Sequence, residues 1–426
     1  MRLSLLFLTG IAVLLSGCNI SPDLRARQEG PDPCAIALAP HAGASKLDQE
    51  IFRLQGETRK ASNPNRALEQ LGWRFVSKAR ISSDPGFYKL AESCADCMEA
   101  KSPSKPGALL LRGHVLHSIH RFKEAEAAAR ELLTFIESSP GYGLLGDALM
   151  EQGKLNEAAA AYQKMVDLKP SPQGYVRAAH MRWLKGDLGG AIQIMRMAAG
   201  SSTPRDPESA AWTYGRLALY ELQAGNIQEA QQAVDQALSF QEQYPAALLA
   251  RGRVLLAQGK LLEAIEPLRR AAENNPLPEY QWVLAEALDA AGRAEEARTV
   301  EAELRQRGGV SDPRTFALYL TTRGQNIETA VQLVEKELTV RSDVFTLDAL
   351  AWSQAAAGRM DQARSSMDRA LAEGTKDARL FYHAGMIAAT AGEKKQAREW
   401  LGKASEIRQM LLPSERAKLS QQLAAL

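Results

Sequence analysis

Small residues recur along most of this chain at intervals of about 34 residues, a period that is typical of stacked supersecondary units. The residue that marks the period is alanine, at Ala91, Ala125, Ala158, Ala191, Ala230, Ala264, Ala297, Ala330, Ala363 and Ala397. One step, from Ala191 to Ala230, is longer than the others.

A turn and a second small residue precede the alanine in most units. Five residues before it a glycine stands at Gly86, Gly153, Gly186, Gly225, Gly259, Gly292, Gly358 and Gly392. Twelve residues before it the last nine units have Gly or Ala, with Leu318 as the exception. Two short helices joined by a glycine turn cross closely only where the contact residues are small. The pattern therefore predicts stacked helix pairs that share a continuous core.

These units resemble tetratricopeptide repeats. One unit carries the signature residues Leu145-Gly146, Gly153, Ala158, Tyr162 and Pro170 in register. About ten such units fit between residues 65 and 412. The resemblance implies an all-α chain, folded as a right-handed α-solenoid of helix-turn-helix repeats. It also implies a concave groove that binds a protein or peptide partner.

Residues 1–18 have the pattern of a bacterial lipoprotein signal. The apolar run from Leu3 to Leu15 suits a signal peptide but is too short to span a bilayer, which takes about 20 residues. The run ends in Leu15-Ser16-Gly17-Cys18, which resembles the bacterial lipobox. The resemblance implies a lipid on Cys18 and, because Asn19 is not an Asp, sorting to the outer membrane. An ordinary secretory signal is the alternative.

These features divide the chain into five segments. We expect a signal peptide at 1–17, a lipidated Cys and flexible tether at 18–45, an N-terminal helix at 46–64, the repeat array at 65–412 and a capping helix at 413–426. The longer step between Ala191 and Ala230 predicts a protruding loop at residues 201–207.

Composition and motif content argue against several classes of function. The 52 Lys and Arg residues oppose 50 Asp and Glu residues, so the net charge of +2 gives no basic footprint for nucleic acid. The sequence contains no phosphate-binding glycine loop, no nucleophile elbow and no zinc-protease helix motif. We therefore expect neither an enzyme nor a cofactor.

In tetratricopeptide repeats the first helices line the groove, so residues at those positions are candidate partner contacts. They are His114, His117, Asp147, Met150, His180, Trp183, Arg253, Trp282, Tyr319 and Trp352. His114, Asp147 and His180 fall in one row on successive repeats, at the helix spacing of about 8–10 Å. This row could form a polar binding hotspot or a metal site. The alternative is a solvated wall whose aromatic residues pack between repeats, above all Trp212 and Trp282.

Three cysteines remain after Cys18. Cys94 and Cys97 form a CxxC pair inside a helix, where the N-terminal dipole that activates redox pairs does not reach. A metal site with the nearby histidines is arithmetically available. Small buried cysteines, or a structural disulfide from Cys34 to one of the pair, are the alternatives.

The sequence thus predicts an outer-membrane-anchored scaffold, facing the periplasm, that binds a protein or peptide in its groove. It would support an envelope assembly, secretion or cell-wall complex. The alternative hypothesis is a metal- or redox-linked envelope protein that uses the His114/Asp147/His180 row or the Cys94/Cys97 pair.

The lipobox generates a direct prediction. Cys18→Ser removes the thiol that would carry the lipid, so we expect an unlipidated precursor that leaves the outer-membrane fraction. Detergent phase partitioning of the variant, beside the unchanged protein, measures this. A Cys18→Ser protein that is still processed and still enters the detergent phase would contradict the lipoprotein hypothesis.

Overall fold

A computed structural model describes residues 32–40, 42–82, 84–101 and 105–426, and these residues form helices and turns with no strand. The predicted signal peptide and Cys18 lie outside the described residues. The helices are α1 (Pro33–Ala37), α2 (Lys46–Lys60), α3 (Asn65–Ser82), α4 (Gly86–Lys101), α5 (Lys105–Ser118), α6 (Phe122–Phe135), α7 (Ser139–Glu151), α8 (Leu155–Leu168), α9 (Pro172–Leu184), α10 (Leu188–Gly200), α11 (Pro207–Gln223), α12 (Ile227–Phe240), α13 (Pro245–Ala257), α14 (Leu261–Asn274), α15 (Pro278–Ala290), α16 (Ala294–Ser311), α17 (Pro313–Arg323), α18 (Ile327–Leu338), α19 (Val344–Ala356), α20 (Met360–Leu371), α21 (Ala378–Thr390), α22 (Lys394–Glu406) and α23 (Pro413–Ala425).

From α3 to α22 the described chain consists of ten consecutive helix pairs, which we number repeats one to ten. The two helices of each pair pack together, and each pair packs on the next. The prediction of an all-α solenoid of about ten helix-turn-helix repeats is confirmed. Among the described helices none is long and apolar enough to cross a bilayer.

The recurring alanines lie where the two helices of a pair meet. Ala264 in α14 is fully buried, and Ala297 in α16 is 1% exposed. On the facing helix, a methyl group added at Gly252 would overlap the side chain of Leu268, and one at Gly146 would overlap the ring of Tyr162. Small residues are therefore needed on both sides because the helices leave no room for a larger side chain.

The extra residues in the long repeat step are divided between a turn and a helix. Helix α11 has 17 residues, whereas α9 and α13, the first helices of the two neighbouring repeats, have 13 residues each. Four of the extra residues thus lengthen α11, and the turn before it has six residues, 201–206, against four at residues 241–244 before α13. The loop predicted at residues 201–207 is present, and it ends one residue earlier because Pro207 begins α11.

The N-terminal end of the described chain is docked on the first repeats. Cys34, at the start of α1, forms a disulfide with Cys97 in α4. The Gln55 side chain in α2 donates to the Ala37 and Ala39 carbonyls at 3.3 and 3.0 Å. Residues 33–37, for which the sequence predicts a tether, therefore form a short helix because a covalent bond and side-chain hydrogen bonds fix them.

The solenoid curves until turns that are far apart in sequence meet. Turns at residues 151–153 and 183–186, inside repeats three and four, contact turns at residues 341–342 and 373–376, which flank repeat nine. We call this contact the closing seam. It joins the two ends of a superhelical turn.

Backbone groups form much of the closing seam. The Ser342 N–H donates to the Glu151 carbonyl at 3.1 Å. The Thr375 hydroxyl donates to the Leu184 carbonyl at 2.6 Å, and the Trp183 indole N–H donates to the Lys376 carbonyl at 3.1 Å. These bonds satisfy turn carbonyls that would otherwise face only water or an apolar neighbour.

The C-terminal helix forms as the sequence predicts, but it lies in the groove as well as against the last repeat. Ser414 at its start donates to Glu286 in α15, through its N–H at 3.0 Å and its hydroxyl at 2.8 Å. Arg416 donates to the Leu256 carbonyl at 3.1 Å. Residues 407–426 therefore fill the concave side of repeats five to eight.

The closing seam can be tested with two glycine substitutions of equal backbone strain. Gly186 and Gly259 have similar left-handed φ values of 81° and 77°, but a Cβ at Gly186 would lie 2.5 Å from the Gly374 carbonyl oxygen and one at Gly259 would meet nothing within 4 Å. Gly259→Ala should cost about 1–2 kcal/mol through φ alone. Gly186→Ala should cost about 1–3 kcal/mol more because it overpacks the seam.

Urea unfolding gives the two free energies, and hydrogen exchange locates the loss. We expect faster exchange at residues 374–376 only in Gly186→Ala. Equal stabilities and equal exchange in the two variants would show that the seam contributes nothing.

Candidate binding groove

An open cleft of about 790 Å³ lies on the concave side of the early repeats. Its walls are formed by α5, α7, α9 and α11, and by the turn before α13. Apolar and aromatic residues form nearly half of the lining, among them Ile81, Met150, Val176, Trp212, Tyr220, Tyr244 and Tyr280. No residue of the C-terminal segment 407–426 lines this cleft, so this part of the groove is open to solvent.

The structure brings four of the predicted groove residues to this cleft. They are His117, Asp147, Met150 and His180. His114 lies to one side, where its ring contacts the ring of Trp73 at a centroid distance of 5.1 Å. The predicted convergence of repeats two to four is thus present for four of six residues.

Asp147 is fixed by partners within the protein. The Arg177 guanidinium donates to its two oxygens at 2.8 and 2.6 Å, and the Tyr162 hydroxyl donates at 2.9 Å. Burial alone would raise the pKa of Asp147, but the charge and hydrogen bonds of Arg177 outweigh it, so the pKa lies below its usual value. The Asp147 carboxylate is therefore ionised and paired with Arg177, and it is not free to bind a ligand.

The two histidines of the predicted row are neutral groups. Burial lowers the pKa of His114 to about 4, and burial together with the Arg216 cation lowers that of His180 to about 3. His180 Nδ1 lies 3.0 Å from the Tyr220 hydroxyl. Groups of three His, Cys, Asp or Glu residues able to hold a metal ion are absent from the described part of the chain. The row therefore does not form the metal site that the spacing allowed.

The Cys94/Cys97 pair does not form a redox couple. Cys97 is bonded to Cys34, and Cys94 is a buried free thiol whose pKa burial raises far above the usual value. A thiol in that state is not nucleophilic. Of the alternatives open at the sequence level, the structure has a disulfide from Cys34 and one small buried cysteine.

The other predicted contacts are occupied by the protein itself. Trp183 is 6% exposed and stacks on Phe345 at 5.4 Å, next to the closing seam. Arg253 donates to Glu279 at 2.7 Å and to the Met410 carbonyl at 3.4 Å. These two residues are therefore wrong as free partner contacts, because distant parts of the chain cover them.

The remaining three aromatic candidates also serve internal packing. Trp282 is 1% exposed with the Arg379 guanidinium 4.8 Å from its ring centre, and Tyr319 is fully buried. Trp352 stacks on His383 at 4.3 Å. Trp282 and Tyr319 are therefore wrong as free contacts, because Arg379 and neighbouring repeats cover them, whereas Trp352 stays partly exposed. All three pack between repeats, as the alternative expects.

The sequence candidates omitted two side chains that dominate the open cleft. Trp212 in α11 is 40% exposed, and Ile81 at the end of α3 is 58% exposed. Trp212 stands at a groove position, but the pattern does not separate it from the buried Trp282. The difference arises because Trp282 packs against the ring of Tyr319 and the guanidinium of Arg379, whereas Trp212 lines the open cleft.

A smaller pocket of about 350 Å³, which we call the chamber, adjoins the cleft, and Met150, His180, Arg216 and Tyr220 line both spaces. Its carboxylates have internal partners. Glu151, Glu279, Asp343 and Asp348 pair with Arg341, Arg253, Arg314 and His383 respectively.

The lowered pKa values of His114 and His180 predict a stability change with pH. Their values in the folded protein, about 4 and 3, lie below the unfolded value of about 6.5. The unfolded chain then binds more protons below pH 6.5, so stability falls as pH decreases. We expect a loss of roughly 2–3 kcal/mol from each group, and so about 5 kcal/mol from the two, between pH 7 and pH 4.5.

Urea unfolding at several pH values measures this change. The double variant His114→Gln/His180→Gln should have a flatter profile than the unchanged protein over this pH interval. An identical pH slope in the two proteins would contradict the assignment of these histidines as buried neutral groups.

The chain is similar to one family model and to several solved structures. A family model described as tetratricopeptide repeat matches residues 144–210, 216–277 and 349–406. No curated protein matches the sequence. Among solved structures, the human IFIT1 dimer with PPP-AAAA is 14% identical, with 85% of this chain and 89% of that chain covered and a TM-score of 0.47.

Two further solved structures are similar. A tetratricopeptide repeat protein from Parabacteroides merdae is 18% identical over 59% of this chain and 97% of that chain, with a TM-score of 0.34. The APC/C hetero-tetramer Cut9-Hcn1 is 12% identical over 91% of this chain and 98% of that chain, with a TM-score of 0.37. By the family match, the helix pairs at residues 144–210, 216–277 and 349–406 are tetratricopeptide repeats, and they are part of an α-solenoid of ten helix pairs.

Proposed function

We propose that the protein is a scaffold that binds an extended segment of a protein partner in the open cleft of repeats one to six. The observation that carries this proposal is the exposure of Trp212 on the concave side of a tetratricopeptide-repeat solenoid. An exposed tryptophan in a groove is a costly surface unless a partner covers it, and tryptophans often dominate binding energy.

The composition of the cleft suits an extended peptide. Trp212, Ile81 and Met150 offer apolar contacts for side chains. The amide side chains of Gln173 and Gln241 also line the cleft and can bond to a peptide backbone. A volume of about 790 Å³ accommodates several residues but not a folded domain.

We further propose that the chain is attached to the outer membrane through a lipid on Cys18 and faces the periplasm. The Cys34–Cys97 disulfide supports an oxidising compartment, of which the periplasm is one. In this arrangement the disulfide also holds the first repeat near the anchor, because Cys34 follows Cys18 closely in the sequence. The scaffold would then serve an envelope assembly, secretion or cell-wall complex without catalysis of its own.

Site-specific crosslinking tests the binding site. A photoreactive residue in place of Trp212, in the full-length chain within its own envelope, should crosslink to a defined short segment of one partner. The matched control is Leu262, which is 71% exposed on the outer helix α14. Crosslinks of equal yield and identity from the two positions would contradict a groove-specific partner.

The crosslinked segment then gives a quantitative test. Trp212→Ala should weaken its binding by about 2 kcal/mol or more, the usual size of a tryptophan hot spot. Leu262→Ala should leave the dissociation constant unchanged. Calorimetry with the synthetic segment measures both, and unchanged affinity in a folded Trp212→Ala protein would overturn the proposal.

A further inference from the structure

Arg216 lies where the open cleft meets the chamber. It extends from α11, and its side chain lines both spaces. Its guanidinium lies 5.7 Å from the ring centre of Trp183 and 5.5 Å from that of Tyr220. The two rings hold the guanidinium in place at the inner end of the cleft.

This cation lacks an anionic partner in the described part of the chain. No carboxylate of the described residues lies within 4.0 Å of its nitrogens, and its hydrogen bond at 3.3 Å goes to His180 Nδ1. His180 is neutral above about pH 5, because burial and Arg216 itself lower its pKa to about 3. Arg216 is therefore a partly buried cation with no carboxylate beside it among the described residues.

The other arginines of the two spaces already have carboxylate partners. In the cleft, Arg177 pairs with Asp147 at 2.6 Å, and Arg80 pairs with Glu208 at 3.5 Å. In the chamber, Arg253, Arg314, Arg341 and Arg379 pair with Glu279, Asp343, Glu151 and Glu415 respectively. Among the arginines that line the two spaces, Arg216 is thus the one that has no carboxylate within 4.0 Å among the described residues.

We propose that the peptide bound in the cleft carries an acidic side chain that pairs with Arg216. This inference rests on the proposed function and specifies the chemistry of the partner. A planar guanidinium held between rings presents a fork of N–H donors that matches a carboxylate. The pair forms in a partly desolvated position, where a charge-assisted bond contributes more than at the surface.

The position of Trp212 gives the neighbouring contact. It lies four residues before Arg216 on α11, so the two side chains are one helical turn apart on the same face. A peptide with an apolar residue next to an Asp or Glu therefore meets both at once. The carboxylate fixes the register of the peptide, and the apolar residue covers the tryptophan.

Peptide pools with one fixed position test this chemistry. The pools are short, acetylated and amidated peptides of mixed apolar and small residues, with Glu, Gln or Lys fixed at the centre. The full-length chain is the receptor, and fluorescence anisotropy gives apparent affinities. We expect the Glu pool to bind about 10-fold tighter than the Gln pool, as for one charge-assisted pair, and the Lys pool weakest.

Three variants assign the preference to Arg216. Arg216→Gln should bind the Glu and Gln pools equally, and Arg216→Lys should retain part of the preference because it keeps the charge. Arg182→Gln is the matched control, since Arg182 is exposed on α9 and lines neither space. It should bind as the unchanged protein does. Thermal unfolding shows which variants are folded.

The outcomes separate this inference from the proposed function. Equal binding of the Glu and Gln pools to the unchanged protein, with loss of both in Trp212→Ala, overturns the acidic partner and leaves the peptide groove in place. A Glu preference that survives in Arg216→Gln also overturns it. If peptides of the Gln pool that are left with a free C-terminal acid bind more tightly than the amidated Glu pool, the carboxylate comes from a chain end, and the proposal of an acidic side chain is wrong. Absence of binding by every pool overturns both proposals.

Discussion

The close approach of two helices at small residues is the constraint on which the rest of this structure depends. In repeat six the buried Ala264 of α14 belongs to this interface, and Gly252 of α13 leaves no space for a β-carbon because Leu268 fills it. The same contact in successive pairs sets a similar rotation at each step, so the curvature accumulates along the chain.

Accumulated curvature explains why the closing seam forms and why only part of the groove is open. Turns of repeats three and four meet turns that flank repeat nine, so the superhelix closes on itself. Residues 407–426 then occupy the concave side of the middle repeats. The concave surface that a partner can reach is consequently reduced to the cleft of the early repeats, where Trp212 remains exposed.

The repeat pattern was sufficient to predict the helix pairs, because it records local contacts within each pair. The ten recurring alanines are buried in helix contacts of this kind, and seven of the eight turn glycines have left-handed φ values, as the pattern expects. Groove residues were harder to predict because their exposure depends on contacts across long sequence separations. Trp183 and Trp212 both occupy inner positions. Trp183 donates its indole N–H to the carbonyl of Lys376, 193 residues away in the sequence, whereas Trp212 is 40% exposed.

The same separation explains the histidine row. Sequence spacing places His114, Asp147 and His180 on successive repeats, but it does not contain the partners that each side chain finds. Arg177 takes the carboxylate of Asp147, and the ring of Trp73 contacts that of His114. Whether polar residues in a groove are free or satisfied is thus decided by the packing of neighbouring helices.

The half of the groove that residues 407–426 fill differs from the open cleft in how well its polar groups are satisfied. This difference indicates that the open cleft receives the partner. The C-terminal segment is held by directed polar bonds, such as those from Arg416 to the Leu256 carbonyl and from Gln409 to the Leu222 carbonyl. Such bonds satisfy both partners and leave no exposed apolar surface to explain. The open cleft instead keeps an exposed tryptophan and a guanidinium without a carboxylate among the described residues, each of which is destabilising or unused in the isolated protein. A surface with both features gains from being covered by a ligand that is apolar and acidic, whereas the filled half has nothing further to gain.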